Sequence, residues 1–190
     1  MFVKIFLDTR KGAMDLNNFL TIDPGVHTGL AFWKNEKTML PETEQINNKT
    51  TSKIPMDKVT SLNNQFWAYL QKNKQIEFCI IEGVQYWENS SVSRVAGRRG
   101  DLTFLSYLCG SYYQTCKHEK INAFIIPPYW KGQLNYDNLS IWIEKLNNKI
   151  YSSEHITSAV GIGFFVKGEI FKGKVYNDLL QQVRSVKNKI

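Results

Sequence analysis

The chain reads as an α/β protein, and three observations lead there. The stretch Phe19-Leu-Thr-Ile-Asp-Pro-Gly-Val-His-Thr-Gly-Leu-Ala-Phe-Trp33 has two β-prone runs joined by a turn, the pattern of a hairpin. Val59, Leu62, Phe66, Trp67 and Leu70 then recur at helical spacing. Finally, Phe78-Cys-Ile-Ile-Glu82 and Ile121–Ile126 are short, largely apolar runs, as strands covered on both faces are.

Taken in order, residues 2–7 suggest a short strand and Lys11–Asn18 a polar connection. In the hairpin, Pro24 pushes Asp23 out of the helical region into an extended conformation. Gly25 and Gly29 are expected to supply the backbone angles of a tight reversal. One carboxylate is thereby held at the end of a buried strand. Alone it would be costly there, so it calls for a cation partner, most simply a metal ion. Lys37–Leu40 reads as a third strand. Pro41–Pro55, rich in Asn, Thr, Lys and Glu and without a period, reads as an exposed loop.

A helix over Met56–Lys72 would return Phe78–Glu82 to lie beside the first strand as a right-handed parallel crossover. Glu82 then ends its strand as Asp23 ends its own. Adjacent parallel strands put both carboxylates at one sheet edge, the edge where open α/β sheets bind ligands. Asn89–Gly100 is polar, basic and glycine-bearing. Its Arg94, Arg98 and Arg99 are candidate contacts to a phosphate backbone, with a solvated loop as the plain alternative.

Asp101 can cap an apolar helix running to about Lys117. Ile121–Ile126 leads into Pro127-Pro-Tyr-Trp-Lys-Gly132, which sets Lys131 just beyond the sheet edge. Asp137 or Asn138 can cap a helix through Ile150. Ser152 or Ser153 starts a last core helix, Glu154–Val166, with Ile156, Ala159, Val160, Ile162 and Gly163 on packed faces. Phe171–Ile190 reads as a strand or turn followed by a basic amphipathic helix. No internal repeat is found.

A length of 190 residues suits a single domain with short extensions around a core of about 19–166. Lys plus Arg number 24 against 17 acids, a formal charge of +7 that favours a polyanionic partner. No apolar run reaches the roughly 20 residues that span a bilayer, and the N-terminus is too quickly charged for a signal peptide. A cytoplasmic protein is expected, in the host cytoplasm if the Asn- and Lys-rich chain is phage-encoded. Cys79, Cys109 and Cys116 form no CxxC pair and read as buried reduced thiols.

The segments IDPGVHTGLAFW, IIEG, IIPPYWKGQ and HITSAVGIG, in this order over roughly residues 19–166, resemble the RuvC-type Holliday-junction resolvases of the ribonuclease-H-like superfamily. The resemblance implies a ribonuclease-H-like mixed five-stranded sheet flanked by helices. It also implies a nuclease that cuts branched DNA as a two-fold homodimer, with two magnesium ions (manganese as a substitute) held by acidic or acid-plus-His positions. Asp23 matches the first position, Glu82 the second, and His155 a position that is Asp or His in the family. Ser158 stands where the family has Asp. Glu154, one helical turn earlier on the same face, is the candidate to restore that charge. Lys131 matches a lysine that faces the active-site edge.

Trp33, Trp67 and Trp142 read as core or interface residues, Trp87 and Trp130 as candidates for stacking on bases, and His27 and Thr28 as turn residues. Two metals about 4 Å apart can activate water and stabilise the leaving oxygen of a phosphodiester. The alternative reading, prompted by Ser158, is a weakened RuvC-like protein that binds DNA structures without cutting. An actin-like ATPase, whose first phosphate loop also has Asp, Gly and Thr, would need a second phosphate loop over a longer, duplicated chain; neither is present.

Overall fold

A computed structural model of the chain describes residues 17–35, 38, 40–85, 91, 95, 97, 100–128 and 153–171. Phe19–Asp23 forms β1 and His27–Trp33 forms β2, paired antiparallel with Asp23 opposite Gly29. Glu42–Asn47 forms β3, antiparallel to β2 at the sheet's edge. Helix α1, Pro55–Lys72, leads to β4, Phe78–Glu82, which runs parallel to β1 with Ile22 beside Ile81. Helix α2, Asp101–His118, leads to β5, Asn122–Ile126, parallel to β4. Helix α3 is Glu154–Phe171. The result is a mixed five-stranded sheet in the order β3-β2-β1-β4-β5, flanked by helices.

Strand residues alternate between the two faces of a sheet, and this parity decides where the site forms. Leu20, Ile22, Leu30, Phe32, Cys79 and Ile81 join one apolar cluster with Val59, Leu62 and Phe66 of α1 and Leu108, Tyr112 and Cys116 of α2. The odd-numbered residues of β1 and β2 face α3. Trp33 meets Phe164 edge-on, ring centroids 5.2 Å apart. The Thr21 hydroxyl lies 2.6 Å from the carbonyl oxygen of Ala159, to which it donates, and accepts from Trp33 Nε1 at 3.1 Å. A fully buried hydroxyl is thus satisfied on both sides, and it ties the hairpin to α3. Asp23 follows the parity of Thr21, so it too points to the α3 side. On β4, the alternation of Cys79 and Ile81 into the α1–α2 core leaves Glu82 on the same side as Asp23.

Four expectations need correction. The third strand is Glu42–Asn47 rather than Lys37–Leu40, and it lies inside the segment read as loop. Its residues alternate only weakly, with Ile46 alone buried, so pairing with β2 creates this edge strand, not an apolar pattern. The cap of α2 is Gly100 in the left-handed region (φ 78°); Asp101 sits in the first turn, where its charge complements the helix dipole. Gly25 and Gly29 do not take positive φ; their role is steric, leaving room for the start of α3. Trp67 is about half exposed and donates from Nε1 to Glu119 Oε1 at 2.8 Å, which overturns the core half of the core-or-interface reading.

Trp33 is fully buried, and all three cysteines are free and buried, as expected. The expected strand over 2–7, the helix through Ile150, the structure after Phe171, and Trp87, Trp130 and Trp142 lie outside the described residues. Among the described residues no helix is long and apolar enough to cross a membrane.

Candidate active site

Asp23 and Glu82 leave the ends of neighbouring parallel strands one residue past the Ile22–Ile81 pair, so their carboxylates share an edge and a face. Both residues are 8% exposed. Across from them, the first turn of α3 brings His155 Nδ1 to 2.7 Å from Asp23 Oδ2. An ionised carboxylate only accepts, so Nδ1 carries the hydrogen of this bond. The Asp23 carboxylate thus meets an imidazole N–H in this structure.

Two glycines make that approach possible. A Cβ on Gly29 would stand 2.0 Å from the carbonyl oxygen of His155 and 2.7 Å from the nitrogen of Ile156. A Cβ on Gly25 would stand 2.9 Å from His155 Cε1. The hairpin thus lacks side chains where the start of α3 lies against it. Thr28 then holds the turn. Its hydroxyl donates to the Gly25 carbonyl at 2.9 Å, accepts from the Gly25 N–H at 3.3 Å, and lies 2.9 Å from the buried Tyr112 hydroxyl of α2. With its one hydrogen committed to Gly25, Thr28 accepts from Tyr112. Burial pushes the Tyr112 hydroxyl's pKa up.

Asp23, Glu82, Gln85, Cys109, Glu154, His155 and Ser158 line one cleft of about 310 Å³. Ser158 is buried, and Glu154 lies exposed one turn earlier. Cys109 Sγ donates to the carbonyl oxygen of Glu82 at 3.3 Å. Burial, reinforced by the charges of Glu82 and Asp23, pushes its thiol up to about 12. A thiol so strongly protonated is no nucleophile, which leaves carboxylate and imidazole chemistry in this cleft.

The structure therefore brings together Asp23, Glu82, Glu154 and His155. Lys131, Arg94, Arg98 and Arg99 lie outside the described residues. Gln85 and Cys109 are lining residues that sequence reasoning misses. Gln85 carries a signal, its place three residues after Glu82; Cys109 carries none beyond an apolar helix.

Among the described residues, no three His, Cys, Asp or Glu side chains are drawn into one metal-binding cluster. The donor set nonetheless fits magnesium in kind. Its members are hard oxygens and an imidazole spread around a cleft, and magnesium keeps several waters instead of demanding an all-protein cage.

No protein-family model and no curated protein matches the sequence. Solved structures do match. Thermus thermophilus RuvC in complex with a Holliday junction substrate superposes with a TM-score of 0.60 at 12% identity, covering 82% of this chain and 94% of that one. The fold is that of RuvC. A further T. thermophilus RuvC structure gives a TM-score of 0.56 at 14% identity over 81% of this chain and 94% of its own. The yeast mitochondrial Holliday junction resolvase gives 0.58 at 15%, over 90% and 86%. The RuvC-like fold thus extends over most of the chain.

Proposed function

We propose that this chain is a magnesium-dependent endodeoxyribonuclease of the crossover-junction type, cutting branched DNA by phosphodiester hydrolysis as a homodimer. The observation that carries the reading is the convergence of Asp23 and Glu82, from adjoining strand ends, on Glu154 and His155 of α3 around one cleft. The RuvC-like fold supports it, since one matching structure is that of RuvC with a Holliday junction.

Asp23, Glu82, Glu154 and His155 would hold two magnesium ions, with manganese as a substitute. Bound there, such ions supply an activated water and charge stabilisation at the leaving oxygen. The chain's own residues do the rest. Burial keeps the Asp23 and Glu82 carboxylates fixed at their strand ends. The Asp23–His155 bond fixes the orientation of the imidazole, which would ligate metal or orient a water. Lys131 would neutralise a phosphate at the edge, and Arg94, Arg98 and Arg99 would track the backbone of the arms, in keeping with the +7 charge.

A second reading, a protein that binds branched DNA without cutting it, draws support from Ser158. This residue puts a neutral hydroxyl in the cleft where a carboxylate is expected. Incubating the protein with labelled four-way, flap and linear DNA, with and without magnesium, separates the two. Magnesium-dependent nicking of branched DNA supports the nuclease. Binding without cleavage on every branched substrate supports the second reading.

A further inference from the structure

We infer that Gln85 is a further oxygen ligand of the acidic cleft, its side-chain carbonyl helping to hold a hard divalent cation beside Glu82. The inference rests on the metal-dependent reading of the site and adds to it a neutral ligand outside the acid-plus-His set.

Among the described residues, Gln85 Oε1 is the buried side-chain oxygen or nitrogen left with no hydrogen-bond partner. An acceptor buried without a donor is destabilising, and in a native protein it marks a place for a water or an ion. Its position is well defined. The chain leaving β4 is pinned to β5 by the Gly83 N–H, which donates to the Ile126 carbonyl at 2.7 Å. Gly83 also packs against Ile125 so closely that a Cβ would stand 2.6 Å from Ile125 Cγ2. Gln85 is thereby carried just past the sheet edge into the lining of the cleft.

The character of the lining selects the occupant. Asp23, Glu82 and Glu154 offer only acceptors while ionised. The His155 Nδ1 hydrogen is committed to Asp23 and the Cys109 thiol hydrogen to the Glu82 backbone. An additional unpaired acceptor on a residue lining such a cleft is complemented by a cation. Magnesium and manganese accept neutral carbonyl oxygen alongside carboxylate and water. Such a ligand also answers the dispersed arrangement of the acids. Among the described residues no three ionisable donors close on one point, and Gln85 Oε1 and the Ser158 hydroxyl are the neutral side-chain oxygens of the lining that can complete a shell.

The test is manganese binding to the full chain, by titration calorimetry or by electron paramagnetic resonance of the free ion, with magnesium-induced shifts in Tm as a second readout. Gln85→Leu is expected to weaken manganese affinity about 10-fold or more. Without metal its Tm is expected to equal or exceed that of the parent, because an unpaired buried oxygen is gone. Gln85→Glu, with an added charge, is expected to tighten binding. Equal affinities for Gln85→Leu and the parent overturn the assignment. If Gln85→Leu does not fold, a Gln85→Glu affinity no tighter than the parent's does the same. Asp23→Asn separates the two levels of inference. Loss of binding in Asp23→Asn with full binding in Gln85→Leu removes Gln85 alone. Parental affinity in both variants removes the metal-dependent reading of the cleft as well.

Discussion

Gly29→Ala tests the way the site is assembled, because the backbone there tolerates alanine and the neighbouring helix does not. Gly29 lies in β2 without positive φ, so the substitution adds no torsional strain. Its new methyl would stand 2.0 Å from the His155 carbonyl oxygen and 2.3 Å from the carbonyl carbon. Ordinary contact begins near 3.4 Å, so the start of α3 must retreat by about 1.4 Å or the hairpin must bend. Overpacking of this kind costs about 1–3 kcal/mol. In a domain of this size that lowers Tm by about 2–12 °C. The same retreat stretches the 2.7 Å bond between His155 and Asp23 past hydrogen-bond reach. A displacement of that size in a reacting group lowers turnover on the order of 100-fold. The assay pairs thermal unfolding with single-turnover cleavage of a labelled four-way junction. Gly110→Ala is the control: a Cβ there meets nothing within 4 Å on an exposed helix position. Removing a helix-interior glycine stabilises by about 0.8–1 kcal/mol, so its Tm is expected to rise. A Gly29→Ala protein with parental Tm and cleavage would refute the claim that the hairpin's missing side chains seat α3.

Asp23→Asn keeps the shape but loses the charge; cleavage is expected to be nearly abolished while junction binding, measured by gel shift, holds or tightens. Arg98→Ala with Arg99→Ala is expected to flatten the slope of log affinity against log salt by about 1 for each phosphate no longer neutralised; an unchanged slope returns that segment to a solvated loop. In magnesium titrations of cleavage, Glu154→Gln is expected to be almost as damaging as Asp23→Asn and Ser158→Asp to change little. The reverse pattern means that Glu154 does not restore the missing charge. Tyr112→Phe keeps the ring against Phe66, centroids 4.5 Å apart, and removes only the bond to Thr28. It is expected to cost about 1 kcal/mol in chemical denaturation, and no loss would mean that the turn does not depend on α2.

Those parts of the fold that are written as a period are legible in the sequence. The β1–β2 hairpin, α1, β4, α2 and the last helix fall where alternation and helical spacing put them, because burial on one face or both is what those patterns record. β3 is hidden for the complementary reason. An edge strand is made by backbone bonds to its neighbour, and Glu42–Asn47 carries almost no apolar signature. The two carboxylates are legible from their strand-end positions. His155 is legible only through the resemblance, since a histidine in a first helical turn otherwise reads as solvent-facing. Gly25 and Gly29 stand out in the sequence for the wrong property. Their local context suggests torsion, whereas their function is to leave space for residues more than a hundred positions away. Contacts of that kind, like the sulfur of Cys109 against Glu82, exist only after the chain has closed.

That closure has a consequence for when the cleft can exist during synthesis. Asp23 and His155 are 132 positions apart, and the Thr21–Ala159 bond that seats α3 spans 138. Domains emerge from the ribosome N-terminus first, and contacts of such long range form only once both ends are available. A nascent chain that has completed β1, β2 and β4 already displays Asp23 and Glu82, yet it has nothing to set opposite them. An interrupted product ending before residue 154 would carry half of the donors and no seated helix. A chain built this way has no assembled cleft until translation has passed α3.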